Sequence, residues 1–291
     1  MQFDKKFFQK ETRSNFEVSE KKKKVWAVLL NLLEYFDTLC REHNLHYFVD
    51  YGTLLGAVRH QGFIPWDDDI DIVMFRDEYE KLKTVAQNSV SEPYFFQNSY
   101  TDIMISAFSK LRDSRTSAIE FPDYPPEFHQ GIFIDIFPLD DAPDGVGMKP
   151  VINQMQREIW MSVVDAQKLK ELLDQGYRPA LDTESLLELI HMPMRERMKV
   201  FEDFNLCQFG KSQKVCFITG SFLYGLNVSV LREWYSDTIY LPFENIMVPA
   251  PAGYDSLLKY RYGDYMTPIQ SPTQHNGIFL DPDVPYTKYI V

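Results

Sequence analysis

The chain has 291 residues, enough for one large domain or two small ones, and its 45% apolar and 15% aromatic content marks a folded globular protein, not a disordered one. A formal net charge of −12 argues against a general nucleic-acid binder, which would be basic. It leaves a nucleotide substrate open, because a bound divalent metal reverses the local sign.

In chain order, "MQFDKKFFQKETRSNF" has no apolar core of a secretory signal, and runs such as "VWAVLL" are too short to span a bilayer. Cys40, Cys207 and Cys216 form no C-x-x-C pair, which suits a reducing compartment and speaks against zinc. The expected location is the cytoplasm, with contact at the inner face of the plasma membrane left open. Lys21 to Lys24 could face acidic lipid, but the simpler reading is the solvated first turn of a helix. That helix is expected over 19–44, capped by Ser19, with Val25, Leu29, Leu32, Phe36 and Leu39 on one face. A strand over 46–51 and a Gly-started turn with a short helix over 52–60 follow. A second strand (70–75), a helix (76–90) and strands over 93–99 and 105–113 come next. The prolines of 121–128 require a loop, and "GIFIDIFPLDD" (131–141) reads as a strand closed by Pro138. Residues 143–150 look like a boundary, 151–206 are mainly helical, and the last third mixes aromatics with prolines.

Chemistry concentrates at "GFIPWDDDIDIVMF" (62–75). Strand alternation puts Asp69 and Asp71 on one face, about 7 Å apart, where they repel unless a cation bridges them. Hard oxygen ligands suit Mg²⁺ or Mn²⁺. Asp67 shares their parity, although it follows Pro65 and Trp66; Asp68 points the other way. Asp135, flanked by Ile134 and Ile136, is a charge that needs a partner inside an apolar run. Gly52 and Thr53 lie where backbone N–H groups approach a phosphate. Lys110 and Arg112 share a strand face and are candidates for a diphosphate. Arg59 and His60 are candidates for a phosphate contact. Trp66, Tyr51 and Tyr262 are candidate frames for an ammonium group, with core packing the plainer reading of each. Tyr262-Gly263-Asp264 reads as fold support, and His275 has no evident role.

The block "YFVDYGTLLGAVRHQGFIPWDDDIDIVM" (47–74) resembles the signature of the LicD family of phosphocholine transferases, itself similar to the fukutin-type catalytic core. "SKLRDSRT" (109–116), "GIFIDIFPLDDAPD" (131–144), "LPFENIMVPAP" (241–251) and "YGDYMTP" (262–268) match in order, so the resemblance covers about 20–285. It implies an α/β nucleotidyltransferase-like core with a mixed sheet. It also implies metal ligation by Asp67, Asp69 and Asp71 with Asp135 as the later acid, and donor contacts from Gly52, Thr53 and nearby basic residues. The expected organisation is a lead segment (1–19), a catalytic core (20–145), a helical insertion (146–210) and a C-terminal extension (211–291) packed on the core. The expected activity moves a phospho-alcohol, phosphocholine first, from a CDP-linked donor such as CDP-choline to a glycan or lipid-linked glycan hydroxyl. Teichoic acid, capsule and lipooligosaccharide are the expected acceptors. The alternatives are a nucleotidyltransferase attacking the α-phosphate of an NTP and an inactive glycan- or nucleotide-binding homologue.

Overall fold

The computed structural model describes the chain except residues 144–146, 226–227, 271–276 and 291. The lead segment holds a hairpin that the sequence reading does not contain, β1 (Glu11–Arg13) against β2 (Phe16–Val18). Ser14 and Asn15 both take positive φ, 47° and 61°, as a tight two-residue turn requires. Helix α1 (Glu20–Glu42) follows, and Ser19 caps it by accepting the Lys22 N–H at 3.2 Å. Its lysines are a solvated first turn only in part: Lys21 and Lys24 are exposed and Lys22 is half-buried. Lys23 is buried and paired with Glu11, Lys24 reaches Asp283 at 2.6 Å, and Lys21 lies 5.6 Å from the Phe279 ring centre. The expected solvated turn is therefore corrected at Lys23, which is buried, and sharpened at Lys24, which is exposed but ion-paired.

Next come β3 (Phe48–Val49), α2 (Tyr51–His60), β4 (Asp71–Phe75), α3 (Arg76–Ser89), β5 (Tyr94–Gln97), β6 (Ser109–Asp113), β7 (Ser117–Ile119) and β8 (Ile132–Asp141). The expected strand over 46–51 shrinks to two residues because Asp50 caps α2 and Tyr51 already begins it. The chain continues through α4 (Lys149–Asp174), α5 (Thr183–His191), α6 (Met194–Gln208), β9 (Lys214–Cys216), α7 (Ile218–Tyr224) and β10 (Val230–Leu231). The hairpin β11 (Thr238–Phe243) and β12 (Ile246–Pro251), helix α8 (Tyr254–Tyr262) and β13 (Phe279–Asp281) complete it.

The main sheet has seven strands and β8 as its spine. β4 pairs with one edge of β8 in parallel and carries β3. The other edge is shared: β6 takes residues 132–136 and carries β5, and β9 takes 140–141 and carries β10. Pro138 does not close β8, contrary to the sequence expectation. The Asp135 backbone N–H donates to the Ile70 carbonyl, so the two-residue period points the backbone nitrogen of residue 138 toward the opposite edge, in the gap between β6 and β9. The missing N–H costs no ladder bond there.

Helix α1 lies against β6 and β8. Trp26, Leu29, Leu33 and Phe36 join Ile72, Leu111, Ile134 and Ile136 in one core, each fully buried apolar side chain contributing about 1.5–3 kcal/mol. A second core gathers Ile159, Val163, Leu186 and Phe201 from α4, α5 and α6 with Cys216 and Ile218. The fold is the expected mixed α/β arrangement; the boundary expected at 145/146 lies outside the described residues. Among the described residues no helix is long and apolar enough to cross a membrane.

Candidate active site

A cavity of about 1280 Å³ is lined by side chains from both cores. Asp67, Asp69, Asp71 and Asp135 line it together. Strand register accounts for the pair on the sheet: Asp71 of β4 stands beside Asp135 of β8, and Asp135 stands beside Lys110 of β6. Register partners project to the same face, so the three form a row across neighbouring strands. Asp69 reaches the cavity from the loop before β4 and not, as expected, from the strand itself. Asp68 is not on the cavity wall, in keeping with its parity.

The acids destabilise one another. Burial, then the Asp69 carboxylate, pushes Asp67 up to about 8. Burial, then Asp135, Asp67 and Asp50, holds Asp71 well above the usual carboxylate range, and Arg261 opposes this only in part. Among the described residues no group of three or more His, Cys, Asp or Glu is already drawn up around an ion position. An Mg²⁺ site that works on phosphates takes one or two carboxylates and fills its shell with water and phosphate oxygens. An open, oxygen-only set under mutual repulsion fits that use.

Asp67 and Asp71 are held from behind. Trp26 Nε1 donates to the Asp67 carbonyl at 3.1 Å, and its indole stacks on Phe63 with centres 4.7 Å apart. Thr53 is buried off the cavity wall, and its hydroxyl accepts the Asp71 N–H at 2.8 Å. It positions the acid where the sequence reading had it approach a phosphate. Gly52 lines the cavity, and a Cβ there would stand 2.7 Å from Asp67 Oδ2. The close approach that requires glycine is therefore the approach of a carboxylate. Lys22, half-buried, feels Asp68, Asp67 and Asp69, though burial is the larger influence and lowers its pKa.

The expected cations divide into two groups. Lys110 and Arg112 share a face, as alternation predicts, and both stack on Phe133, at 3.4 and 4.5 Å from the ring centre. Neither lines the cavity. Arg112 is sealed by Gln97 Oε1 (2.5 Å), the Gly131 carbonyl (2.8 Å) and Glu120 Oε2 (2.6 Å). Lys110 Nζ sits 3.2 Å from Asp135 Oδ1 and 3.3 Å from Glu120 Oε1. Burial would raise the Glu120 carboxyl, but Lys110 and Arg112 hold it below its ordinary value. Arg59 does line the cavity; it donates to the Tyr265 carbonyl at 2.9 Å and has no carboxylate partner among the described residues. His60 is off the cavity wall, and burial, then Arg59, lowers it to about 4.

The sequence reading missed Arg261. It lines the cavity from α8 and forks onto the fully buried Asp50, which also accepts from Tyr235 Oη at 2.6 Å. Its guanidinium lies 4.2 Å from the Tyr51 ring centre. Tyr51 has φ of 46°, a left-handed conformation that costs a non-glycine residue roughly 1–2 kcal/mol. The only available signal was its place in "YRYGD", beside Tyr262-Gly263-Asp264. That motif now has a structural meaning: Gly263 ends α8 with φ 65°, and Tyr262 and Asp264 both line the cavity. Trp66 lines it too, while His275 lies outside the described residues.

Residues 44–172 match the family model described as "LicD/FKTN/FKRP, nucleotidyltransferase domain". The chain is 31% identical over 248 residues to the "Lipopolysaccharide cholinephosphotransferase LicD" of Haemophilus influenzae, covering 82% of this chain and 89% of that protein. Two proteins described as uncharacterised, from Rickettsia typhi and Rickettsia prowazekii, are 47% and 40% identical over 73 residues, a quarter of this chain. They cover 23% and 25% of those proteins. With four acids on one cavity wall and a relative matched over most of both chains, the protein belongs to the LicD family.

Proposed function

We propose that the protein transfers phosphocholine from CDP-choline to a hydroxyl of a cell-surface glycan precursor at the cytoplasmic side of the membrane. The name of the Haemophilus relative points to both the group and a lipopolysaccharide acceptor. Teichoic acid or capsule would demand the same chemistry. The observation that carries the reading is the in-register pair Asp71 and Asp135, with Asp67 and Asp69 on the same wall.

Asp67, Asp69, Asp71 and Asp135 are the carboxylates from which Mg²⁺ or Mn²⁺ would draw its one or two protein ligands at a time, and the ion when bound supplies Lewis-acid stabilisation of the donor diphosphate. The chain's own residues do the rest. Thr53 fixes the Asp71 backbone, and Gly52 leaves room for the Asp67 carboxylate. Arg59 contacts the diphosphate on the leaving side and stabilises the charge that develops on CMP. Asp135, held by Lys110, takes the acceptor hydroxyl's proton as that oxygen bonds to the phosphorus bearing choline. The bond from that phosphorus to CMP breaks, and CMP leaves with the electron pair.

The rival within the same site is attack at the α-phosphate of an NTP. Incubation with Mg²⁺ and a lipopolysaccharide acceptor, with CDP-choline in one arm and each NTP in others, separates the two. Release of CMP with label moving to the glycan supports transfer. Pyrophosphate from an NTP, with CDP-choline untouched, would refute it.

A further inference from the structure

Beyond the acids, the same cavity holds a surface of different chemistry. Phe137 follows Asp135 by two residues on β8, so it stands on the same face about 7 Å further along the strand. Its ring centre lies 4.7 Å from Phe108 and 5.1 Å from Phe217, and the Phe108 and Phe217 rings meet edge to face at 5.8 Å. All three rings are half-buried and line the cavity. They straddle the two apolar cores: Phe137 packs on the sheet core and Phe217 on the helical one. Their neighbours on the lining, Ala107 and Cys216, are also apolar.

In its own three rings such a platform has no hydrogen-bonding group to offer an alcohol rich in hydroxyls, although Ser106 and Thr219 line the same cavity. It does offer ring faces, which attract a cation whose charge is spread over methyl groups. Its separation from Asp135 is of the order of the two-carbon arm that joins phosphorus to nitrogen in phosphocholine. Two other rings on the lining, Tyr51 and Tyr262, suit this less. The Tyr51 face already carries Arg261, and Tyr262 brings a phenol. The nearest resident cation is Lys110, whose Nζ is 5.6 Å from the Phe108 centre and whose charge is matched by Glu120 and Asp135.

We propose that Phe108, Phe137 and Phe217 receive the quaternary ammonium of the transferred alcohol and so select choline over glycerol, ribitol and ethanolamine. This rests on the reading of the cavity as a site for a CDP-linked donor. Equilibrium binding to the full chain with Mg²⁺ tests it, with CMP, CDP-choline, CDP-ethanolamine, CDP-glycerol and the neohexyl analogue of CDP-choline, in which carbon replaces nitrogen. The expected result is CDP-choline bound about tenfold more tightly than the uncharged neohexyl analogue and than CDP-glycerol. Phe217→Leu should weaken CDP-choline about five- to tenfold while leaving CMP and CDP-glycerol unchanged. Equal affinity for CDP-choline and its neohexyl analogue would overturn the cation role without any variant. Uniform weakening of every ligand, CMP included, by Phe217→Leu would assign the platform to the cytosine base instead. If neither CMP nor any CDP-alcohol bound the wild-type protein, the donor reading itself would fall, and this assignment with it.

Discussion

The acids of the cavity come from a single stretch, Asp67 to Asp71, and one adjacent strand, whereas Phe108, Phe217, Arg261 and Tyr262 on the same lining come from widely separated segments. The energetics differ as much as the origins. The acid wall buries like charges that repel, so it opposes folding. Among the scattered residues the rings pack edge-on or tilted against one another and Arg261 is matched by Asp50, so they support folding. A feature that persists against its own stability cost is explained by what it binds. The contrast separates residues that serve any phosphate donor from residues that choose among donors.

The sharpest way to break that contrast is Asp71→Asn. Turnover should fall by about 10³-fold or more with every CDP-alcohol, while the metal-free variant melts higher than wild type because a buried repulsion is gone. Lower melting would make the acid wall a structural element. Arg59→Met should cost about 10²-fold in kcat/KM with little change in stability. Arg261→Met should instead lower stability by about 3–5 kcal/mol in urea unfolding, since it strands the buried Asp50 carboxylate. If those two effects were exchanged, the division of cations would be wrong.

The metal-free protein should also show the repulsion as a pH dependence. An unfolded Asp67 loses its proton near 3.8, whereas the folded one keeps it to about 8. The native state therefore binds more protons in that window, and stability falls as pH rises from about 4 to about 8. Urea unfolding in EDTA should show that slope, and Asp67→Asn should flatten it. The smallest effect belongs to Gly52→Ala, whose new methyl would displace the Asp67 carboxylate. About a tenfold loss of turnover is expected, recoverable in part by raising Mg²⁺.

Legibility in the sequence follows the same division. Period-two alternation separated Asp67, Asp69 and Asp71 from Asp68 as the cavity lining does, although only Asp71 is on the strand that alternation assumes, and the apolar run around Asp135 marked a charge that needs a partner. The helices α1 and α3 were readable because each buries one periodic face. What could not be read was pairing. Which strand stands beside β8 decides that Lys110 meets Asp135 and that Arg112 is closed in by Glu120, and no local pattern encodes it. Arg261 was hidden for the same reason, since its partner Asp50 lies far away in the chain. Pro138 misled because a proline is tolerated wherever one strand edge happens to be open.

The central claim is that the acid wall grips the donor through a divalent ion. Titration of Mn²⁺ into the wild-type protein and into Asp71→Asn, with CDP-choline present and the free ion followed by electron paramagnetic resonance, tests it directly. Wild-type protein should take up Mn²⁺ at least about tenfold more tightly than the variant, and CDP-choline should strengthen uptake only in the wild type. Equal uptake by both proteins, with or without CDP-choline, would contradict the account.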